Sequence, residues 1–285
     1  MRGADPRVVL GLHRSRHERR LLTGALDLGV TTLDTSTNYL GFRSHQVLAQ
    51  AAGDLLPKFT VSTKVGYFPA PRGAEHSLDP LRLYAAVEQA AEDLGQEPDL
   101  VFLHNPEHSL READPHGQDV LTEACAVLDD ATSKGLCTAW GIASWDPSSL
   151  VGLIGPTVPR PATLMVRAGL LVGIRTLDAA DALVRAWDLD PSEVWGMSPF
   201  GGSTSVPVWA KIDPRLFLAN SRQLSRVQAA FLAAYHLPRV GTVAVSTEEP
   251  AHLGELVGAL VGEVEERTVQ EYLSLLRDRS RDQPV

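Results

Sequence analysis

Residues 18–39 read ERRLLTGALDLGVTTLDTSTNY and contain one complete unit of the pattern that decides the fold. Apolar residues recur at helical spacing between Leu21 and Leu28, and Gly29 follows them as a C-terminal cap. The short run Thr31–Asp34 comes next and has the character of a buried strand. This stretch therefore predicts a helix followed directly by a β-strand.

The same alternation of strand and helix extends along the whole chain. The candidate strands are Val8–Leu12, Thr31–Asp34, Phe59–Lys64, Leu100–His104, Thr138–Ser144, Thr163–Arg167, Glu193–Ser198 and Gly241–Ser246. Helical patterns occupy Glu18–Leu28, Asp79–Gly95, Val120–Ser133, a segment that begins at Asp146-Pro147, Asp178–Trp187, Ser221–His236, Pro250–Leu260 and Thr268–Arg277. Continuous apolar strands suit a parallel sheet that is buried on both faces. Eight such units predict an α/β protein with a closed (β/α)8 TIM barrel.

An open, doubly wound α/β sheet is the alternative architecture. That fold would carry a glycine-rich phosphate-binding turn after an early strand, and no G-x-G-x-x-G sequence is present. Because no linker, repeat or low-complexity stretch interrupts the pattern, we expect residues 1–285 to form a single domain.

Composition and charge restrict the class of partner. The chain has 285 residues and a net charge of −9, which disfavours nucleic acid and anionic membranes as partners. The two cysteines, Cys125 and Cys137, exclude a disulfide framework, and we expect both thiols to be buried in a protein of the reduced cytoplasm. No apolar run is long enough for a signal peptide or a membrane span. We therefore expect a cytoplasmic protein that acts on a small molecule, and the sequence leaves its oligomeric state open.

Four titratable side chains stand at or just after the ends of three neighbouring strands. Asp34 ends the second strand, Lys64 the third and His104 the fourth, and Tyr39 lies five residues beyond Asp34. Taken singly, each is more often a turn cap, a solvated lysine, a structural histidine or a packing tyrosine. The carboxyl ends of barrel strands meet at one mouth, however, so we expect all four in one active site.

Their chemistry suggests a division of labour. Lys64 lies in an apolar strand and needs a counter-charge, which Asp34 can supply. We expect the nearby ammonium to lower the pKa of the Tyr39 phenol from its usual value near ~10, which suits a general acid. His104 is placed to hydrogen-bond a carbonyl oxygen. None of these groups provides electrons, so the reduction of a carbonyl would need a bound hydride donor.

The motifs around these residues resemble those of the aldo-keto reductase superfamily over almost the whole chain. The segments that carry the resemblance are Asp34-Thr35-Ser36-Thr37-Asn38-Tyr39, Thr63-Lys64, Leu103-His104-Asn105-Pro106, Gly141-Ile142-Ala143-Ser144 and Ser198-Pro199-Phe200-Gly201-Gly202. The resemblance implies a (β/α)8 barrel that binds extended NADPH or NADH. It also implies reduction of an aldehyde or ketone by the catalytic residues Asp34, Tyr39, Lys64 and His104.

The resemblance further implies a nicotinamide cofactor site. Its predicted residues are Thr35, Ser144, Met165, Met197, Ser198, Phe200, Gly201, Ser246, Thr247 and His252. The chain departs from the family pattern where Ala143-Ser144 replaces a Ser-Asn pair that holds the carboxamide. Met165 stands in place of a glutamine, and Met197 in place of an aromatic residue that stacks on the nicotinamide.

A second departure follows the eighth strand. The family's arginine and asparagine, which hold the 2′-phosphate and the adenine, correspond to His252 and Leu256, and Glu248 and Glu249 lie in the same stretch. A phosphate at that helix end would be repelled by carboxylates. The sequence therefore predicts weakened contacts to the 2′-phosphate, and NADH, weakly bound NADPH or no nicotinamide at all are the options.

Three functional hypotheses follow. The first is an NAD(P)H-dependent carbonyl reductase with Tyr39 as general acid. The second is a non-redox enzyme on the same barrel, a dehydratase or epimerase in a biosynthetic pathway, whose nicotinamide site has eroded. The third is a regulatory subunit that senses a nicotinamide cofactor. No sequence signature of a metal site is present.

Several other side chains are weaker candidates for the barrel mouth. They are His13 and His17 in an arginine-rich turn, His108 and His116 in the connector Asn105–Gly117, and Trp140 and Trp145 beside the fifth strand. Each also has a simpler interpretation as a surface or core residue.

Overall fold

A computed structural model describes residues 7–110, 116–220 and 223–282. Within them, eight parallel strands close into a barrel: β1 (Val8–Gly11), β2 (Thr32–Asp34), β3 (Thr60–Val65), β4 (Leu100–His104), β5 (Ala139–Ser144), β6 (Thr163–Arg167), β7 (Val194–Met197) and β8 (Thr242–Val245). Each strand pairs with the next in the chain, and β8 pairs with β1. The predicted (β/α)8 barrel is confirmed, while the extent of a single domain over residues 1–285 stays a prediction.

Helices cover the outside of the barrel. They are α1 (Arg19–Asp27), α2 (Ser44–Ala52), α3 (Pro80–Leu94), α4 (Glu107–Leu110), α5 (Gly117–Ser133), α6 (Ile174–Ala186), α7 (Arg226–Ala233), α8 (Pro250–Ala259) and α9 (Glu266–Asp282). The cap chemistry at Asp79 is as predicted, since its side chain accepts a hydrogen bond from the backbone of Arg82 and Pro80 occupies the first helical position. None of the described helices is both long and apolar enough to cross a membrane.

The helix predicted to begin at Asp146-Pro147 is wrong. The structure has two short 3₁₀ turns there, Pro147–Ser149 and Val151–Leu153. The Asp146 side chain does cap the first turn, by accepting from the backbone of Ser148. A cap satisfies only the first amides of a helix, and glycines at 152 and 155 disfavour its continuation.

Besides short 3₁₀ turns, three elements were not predicted from the sequence, and one of them is the single-turn helix α4 after β4. Helix α2 follows the loop that carries Tyr39, and an antiparallel hairpin of strands Tyr67–Ala70 and Gly73–His76 follows β3. The predicted helix Ser221–His236 is shorter in the structure, where Ser225 and Gln228 form a capping box at the start of α7. Residues 221 and 222 lie outside the described part of the chain.

The strands are buried on both faces, as their apolar character predicts. One apolar cluster, which includes Val9, Phe102 and Met165, fills part of the barrel interior, and a larger one lies between the sheet and the helices. Cys125 and Cys137 are free and buried, as predicted. Burial raises the pKa of the Cys125 thiol to about 12, so it is unreactive at neutral pH.

Candidate active site

A cavity of about 520 Å³ opens at the carboxyl ends of the barrel strands. The side chains of Asp34, Tyr39, Lys64 and His104 all line it. The four residues predicted to meet at one mouth therefore do so. They come from β2, the β2–α2 loop, β3 and β4, which are neighbours in the barrel.

Asp34 and Lys64 form a buried ion pair at the floor of this cavity. The Lys64 side chain is 2% exposed, and its Nζ donates to Asp34 Oδ2 at 2.5 Å and to the carbonyl oxygen of Thr35 at 2.8 Å. The other Asp34 oxygen accepts a hydrogen bond from Ser62 Oγ at 2.9 Å. Burial alone would lower the pKa of Lys64, but the Asp34 carboxylate and the Tyr39 hydroxyl outweigh it and raise that pKa. The ammonium is therefore charged at neutral pH.

Tyr39 lies over this ammonium, with its ring centre 5.3 Å from Lys64 Nζ. The prediction of a lowered pKa for Tyr39 is wrong. Burial raises the pKa of Tyr39, and the charge of Lys64, which acts in the predicted direction, does not compensate for it. Tyr39 is thus a neutral phenol at neutral pH, the form that holds a proton to donate.

His104, the last residue of β4, is a neutral imidazole. Burial first, and then the charge of Lys64, lower its pKa well below the usual histidine value. Its Nδ1 is 3.2 Å from Ser36 Oγ, and its ring makes edge contacts with Tyr39 and Tyr67 at centroid distances of 6.5 and 4.9 Å. These contacts fix the imidazole in one orientation beside the phenol of Tyr39.

The unpredicted hairpin brings a second tyrosine to the cavity. Tyr67 lines it and accepts a hydrogen bond from Asn105 Nδ2 at 3.3 Å. His76, which pairs with Tyr67 across the open end of the hairpin, has its Nε2 2.8 Å from the carbonyl oxygen of His104 and its Nδ1 2.7 Å from Ser109 Oγ. The hairpin is therefore tied to the end of β4, next to the candidate catalytic histidine.

Six of the ten predicted cofactor residues line the cavity: Met165, Met197, Ser198, Phe200, Ser246 and Thr247. Four are not among its lining residues: Thr35, Ser144, Gly201 and His252. Thr35 is buried, with its Oγ1 2.6 Å from Ser44 Oγ. The hydroxyl of Ser144 donates to Glu107 Oε2 at 3.0 Å, and both residues are buried. Gly202 takes the lining position next to Gly201, and His252 is exposed in the first turn of α8.

The two glutamates before α8 are ion-paired. Glu248 accepts from Arg16, with Nη2 to Oε2 at 3.1 Å, and Glu249 accepts from Arg20, with Nη2 to Oε1 at 2.9 Å. The arginines lower the pKa of both carboxyl groups. The two negative charges expected at this helix end are therefore neutralised by Arg16 in the turn after β1 and by Arg20 in the first turn of α1.

The weaker candidates divide into cavity and structural residues. His13 and Trp145 line the cavity, whereas His17 is buried behind it with its Nε2 2.6 Å from Ser44 Oγ. His108 packs against the ring of Tyr67, with centroids 5.9 Å apart. His116 is exposed beside Asp119, and Trp140 is buried in the core. Residues 111–115 of the connector lie outside the described part of the chain.

Sequence reasoning did not identify several cavity residues, among them the polar side chains of Arg14, Tyr67 and Asn105. Each lies in a loop or hairpin after a barrel strand. Their position at the carboxyl end of a strand was the one available signal.

Comparison with known proteins agrees with this architecture. The family model of the aldo/keto reductase family matches residues 13–166, which is more than half of the chain, so the chain belongs to this family. Among solved structures, an aldo-keto reductase from Bacillus halodurans in its holo form is similar with a TM-score of 0.72 at 18% identity, over 95% of this chain and 91% of that one. An aldo-keto reductase from Klebsiella pneumoniae in complex with NADPH has a TM-score of 0.67 at 17% identity, over 94% and 90% of the two chains. At these identities the likeness establishes the fold. A search of curated proteins finds no significant match.

Proposed function

We propose that this protein is an NAD(P)H-dependent reductase that converts a small aldehyde or ketone to an alcohol. The observation that carries the proposal is the buried group of Asp34, Lys64 and Tyr39, with Lys64 Nζ 2.5 Å from Asp34 Oδ2 and 5.3 Å from the centre of the Tyr39 ring. A charged amine held beside a neutral phenol is suited to delivering a proton to an oxygen. Membership of the aldo-keto reductase family supports the same reaction class.

In this mechanism Tyr39 is the general acid. It donates its hydroxyl proton to the carbonyl oxygen of the substrate, and the ammonium of Lys64 stabilises the phenolate that remains. Asp34 keeps Lys64 charged and in place through their hydrogen bond. Neutral His104 donates a hydrogen bond to the same carbonyl oxygen and orients it toward Tyr39.

The cavity lining fits the nicotinamide and ribose of a dinucleotide better than it fits a 2′-phosphate. Met165 and Met197 provide an apolar surface for a planar ring, and Ser198, Ser246 and Thr247 line the cavity with polar groups for ribose and phosphate. A bound NADH or NADPH would supply the hydride that the protein lacks. The NADPH complex of the Klebsiella pneumoniae relative supports this class of cofactor. The arginines nearest α8 are already paired with Glu248 and Glu249, so we propose weak contacts to a 2′-phosphate.

The substitution Tyr39→Phe tests this proposal. We expect turnover of 4-nitrobenzaldehyde with NADH or NADPH to fall by about 10²- to 10⁴-fold, because the proton donor is lost. Cofactor affinity, measured by quenching of tryptophan fluorescence, is expected to stay within about threefold, since the phenol is not needed to hold the dinucleotide.

Tyr84→Phe on α3 is the matched control, because it removes a hydroxyl outside the cavity lining. Its activity should equal that of the wild type. Full activity of the Tyr39→Phe variant would contradict the assignment of the acid. Absence of carbonyl reduction by the wild type with both cofactors would contradict the reductase itself.

One observation favours a second candidate, a non-redox enzyme that uses the same acid–base residues. The hydroxyl of Ser144, which the family resemblance assigns to the carboxamide, is held by Glu107 and is not available to a cofactor. Such an enzyme would exchange the proton next to a substrate carbonyl without any nicotinamide. Incorporation of deuterium from D₂O that requires Tyr39 and proceeds without cofactor, followed by NMR, would favour this candidate.

A further inference from the structure

The turn between β1 and α1 places one arginine in the wall of the active-site cavity. Arg14 is among the lining residues, and no carboxylate or other partner contacts its side chain within the described part of the chain. Its neighbours differ, because Arg16, Arg19 and Arg20 each bind a carboxylate. Arg14 is exposed at the cavity and, unlike these three arginines, has no ion-pair partner among the described residues.

The other charges that line the cavity are compensated. Lys64 is paired with Asp34, and Glu248 is paired with Arg16. Among the described lining residues, the guanidinium of Arg14 is thus the charge that lacks an opposite partner. In a protein of net charge −9, this makes the cavity wall a local positive site.

The geometry of the turn holds Arg14 near the proposed general acid. The ring of the preceding residue, His13, packs against Tyr39 with centroids 5.1 Å apart. The φ of Arg14 is 61°, in the left-handed region that non-glycine residues seldom adopt, and such residues concentrate at functional sites. A backbone hydrogen bond from Ser15 to Leu12 at 3.1 Å closes this turn.

We propose that Arg14 binds a carboxylate of the substrate, so that the preferred substrates are carbonyl compounds that also carry a carboxylate. A guanidinium can bind a carboxylate through two parallel hydrogen bonds, which fixes the position of the ligand as well as its charge. The reaction at the carbonyl rests on the proposed reductase function, whereas recognition of the carboxylate does not require turnover.

Equilibrium binding of 4-carboxybenzaldehyde and its methyl ester, measured by isothermal titration calorimetry, tests this proposal. The two compounds differ in one negative charge. We expect the wild type to bind the acid about 10- to 100-fold more tightly than the ester, as a charge-assisted pair provides. Arg14→Gln should raise the Kd of the acid by a similar factor and that of the ester by less than about threefold. Arg14→Lys should restore part of the preference.

Arg239→Gln is the matched control. Arg239 is exposed and precedes β8 at the opposite end of the barrel, so this variant removes the same charge far from the cavity. It should retain the preference of the wild type for the acid. Equal binding of acid and ester by the wild type, or no binding of either, would overturn the proposal.

The diphosphate of a dinucleotide is another source of anionic oxygens. Titration of Arg14→Gln with NADH and NADPH separates it from a substrate carboxylate. If the substitution weakens both cofactors and leaves the preference for the acid intact, Arg14 binds the cofactor and the substrate assignment is wrong. If the acid is bound selectively but never reduced, the inference about Arg14 holds and the reductase function fails.

Discussion

At the scale of single residues, the buried pair of Asp34 and Lys64 has a high free-energy cost of desolvation. Both side chains are less than a tenth exposed, so each depends on the other to compensate its loss of hydration. The pair also carries the proposed chemistry, because it places an ammonium beside Tyr39. Stability and function therefore rest on the same two residues.

Breaking this pair should destabilise the protein strongly. Lys64→Met or Asp34→Asn alone is expected to lower the free energy of unfolding by about 3–5 kcal/mol, because one buried group is left without its partner. The double variant should cost clearly less than the sum of the two. Urea unfolding measures all three values.

An exposed pair provides the comparison. Lys134 Nζ lies 2.7 Å from Asp130 Oδ2 on the surface. Lys134→Met should lower the free energy of unfolding by less than about 1 kcal/mol. Strictly additive effects of the two buried substitutions would show that Asp34 and Lys64 do not act as a pair.

Three of the four catalytic candidates identified from the sequence stand at the ends of barrel strands, and Tyr39 lies in the loop after one of them. Asp34, Lys64 and His104 hold fixed positions in a repeating unit, so the chain order alone brings them together. Arg14 and Tyr67 lie in a turn and a hairpin whose path depends on tertiary contacts. The direction of the Tyr39 pKa shift was also missed, because the burial that raises it is produced by the assembled cavity.

At the scale of elements, β5 and β6 pack unusually closely at Gly141. A Cβ atom at this position would overlap the carbonyl oxygen of Thr163 and lie 2.8 Å from the ring of Phe102 inside the barrel. A side chain there would force apart either the sheet or the interior packing. Gly141 is thus required by the close approach of backbone and ring.

We therefore expect Gly141→Ala to be destabilising by about 1–3 kcal/mol, the usual cost of overpacking a core. Gly152→Ala is the control, because a Cβ at position 152 meets no atom within 4 Å. Thermal unfolding of both variants tests this. A Gly141→Ala protein with the melting temperature of the wild type would contradict the packing argument.

The start of α8 sets the cofactor preference in our proposal. Replacing Glu248 and Glu249 by glutamine removes two negative charges and breaks their ion pairs with Arg16 and Arg20, which keep only their shared partner Glu18. The guanidinium NH groups that the two glutamates no longer occupy can bind a 2′-phosphate, so the ratio of the NADPH and NADH dissociation constants should shift toward NADPH by about 10-fold. Fluorescence titration with both cofactors measures this ratio.

Glu255→Gln serves as the control for charge alone, since Glu255 is exposed on the same helix and binds neither arginine. It should leave the ratio within about twofold of the wild type. A ratio that does not change in the double variant would mean that a 2′-phosphate does not reach this helix end.

The elements that were predicted correctly have strong periodicity or clear caps, as α1 and α3 do. The hairpin Tyr67–His76 has neither signal, because two prolines and one glycine interrupt its sequence and His76 anchors it to the end of β4. At Asp146, good cap chemistry led to a wrong helix, since the cap was followed by residues that do not sustain one. Local signals thus predict where an element begins more reliably than whether it continues.

At the scale of the whole molecule, two buried histidines link stability to pH. His17 and His45 have their pKa lowered to about 4, in each case chiefly by burial. The unfolded chain takes up these protons near pH ~6.5, whereas the folded protein does so only near its lowered pKa. The stabilisation is therefore complete above pH ~6.5 and is lost as the pH falls toward about 4.

Each histidine should contribute roughly 3 kcal/mol to the loss of stability across this range. Urea unfolding between neutral pH and pH about 4.5 measures the slope of the unfolding free energy against pH. His45→Gln should reduce it, whereas His116→Gln, at a side chain that is 77% exposed, should not. An acid dependence that is equal in all three proteins would contradict the assignment.

The pairing of β1 with β8 has a consequence for synthesis. Val8 pairs with Val243, so the sheet closes through strands that emerge from the ribosome first and last. Until β8 is translated, β1 has an open edge on one side, and the Ser246 and Thr247 part of the cavity does not yet exist. A ligand site that needs these two residues therefore forms only after β8 has been made and has paired with β1.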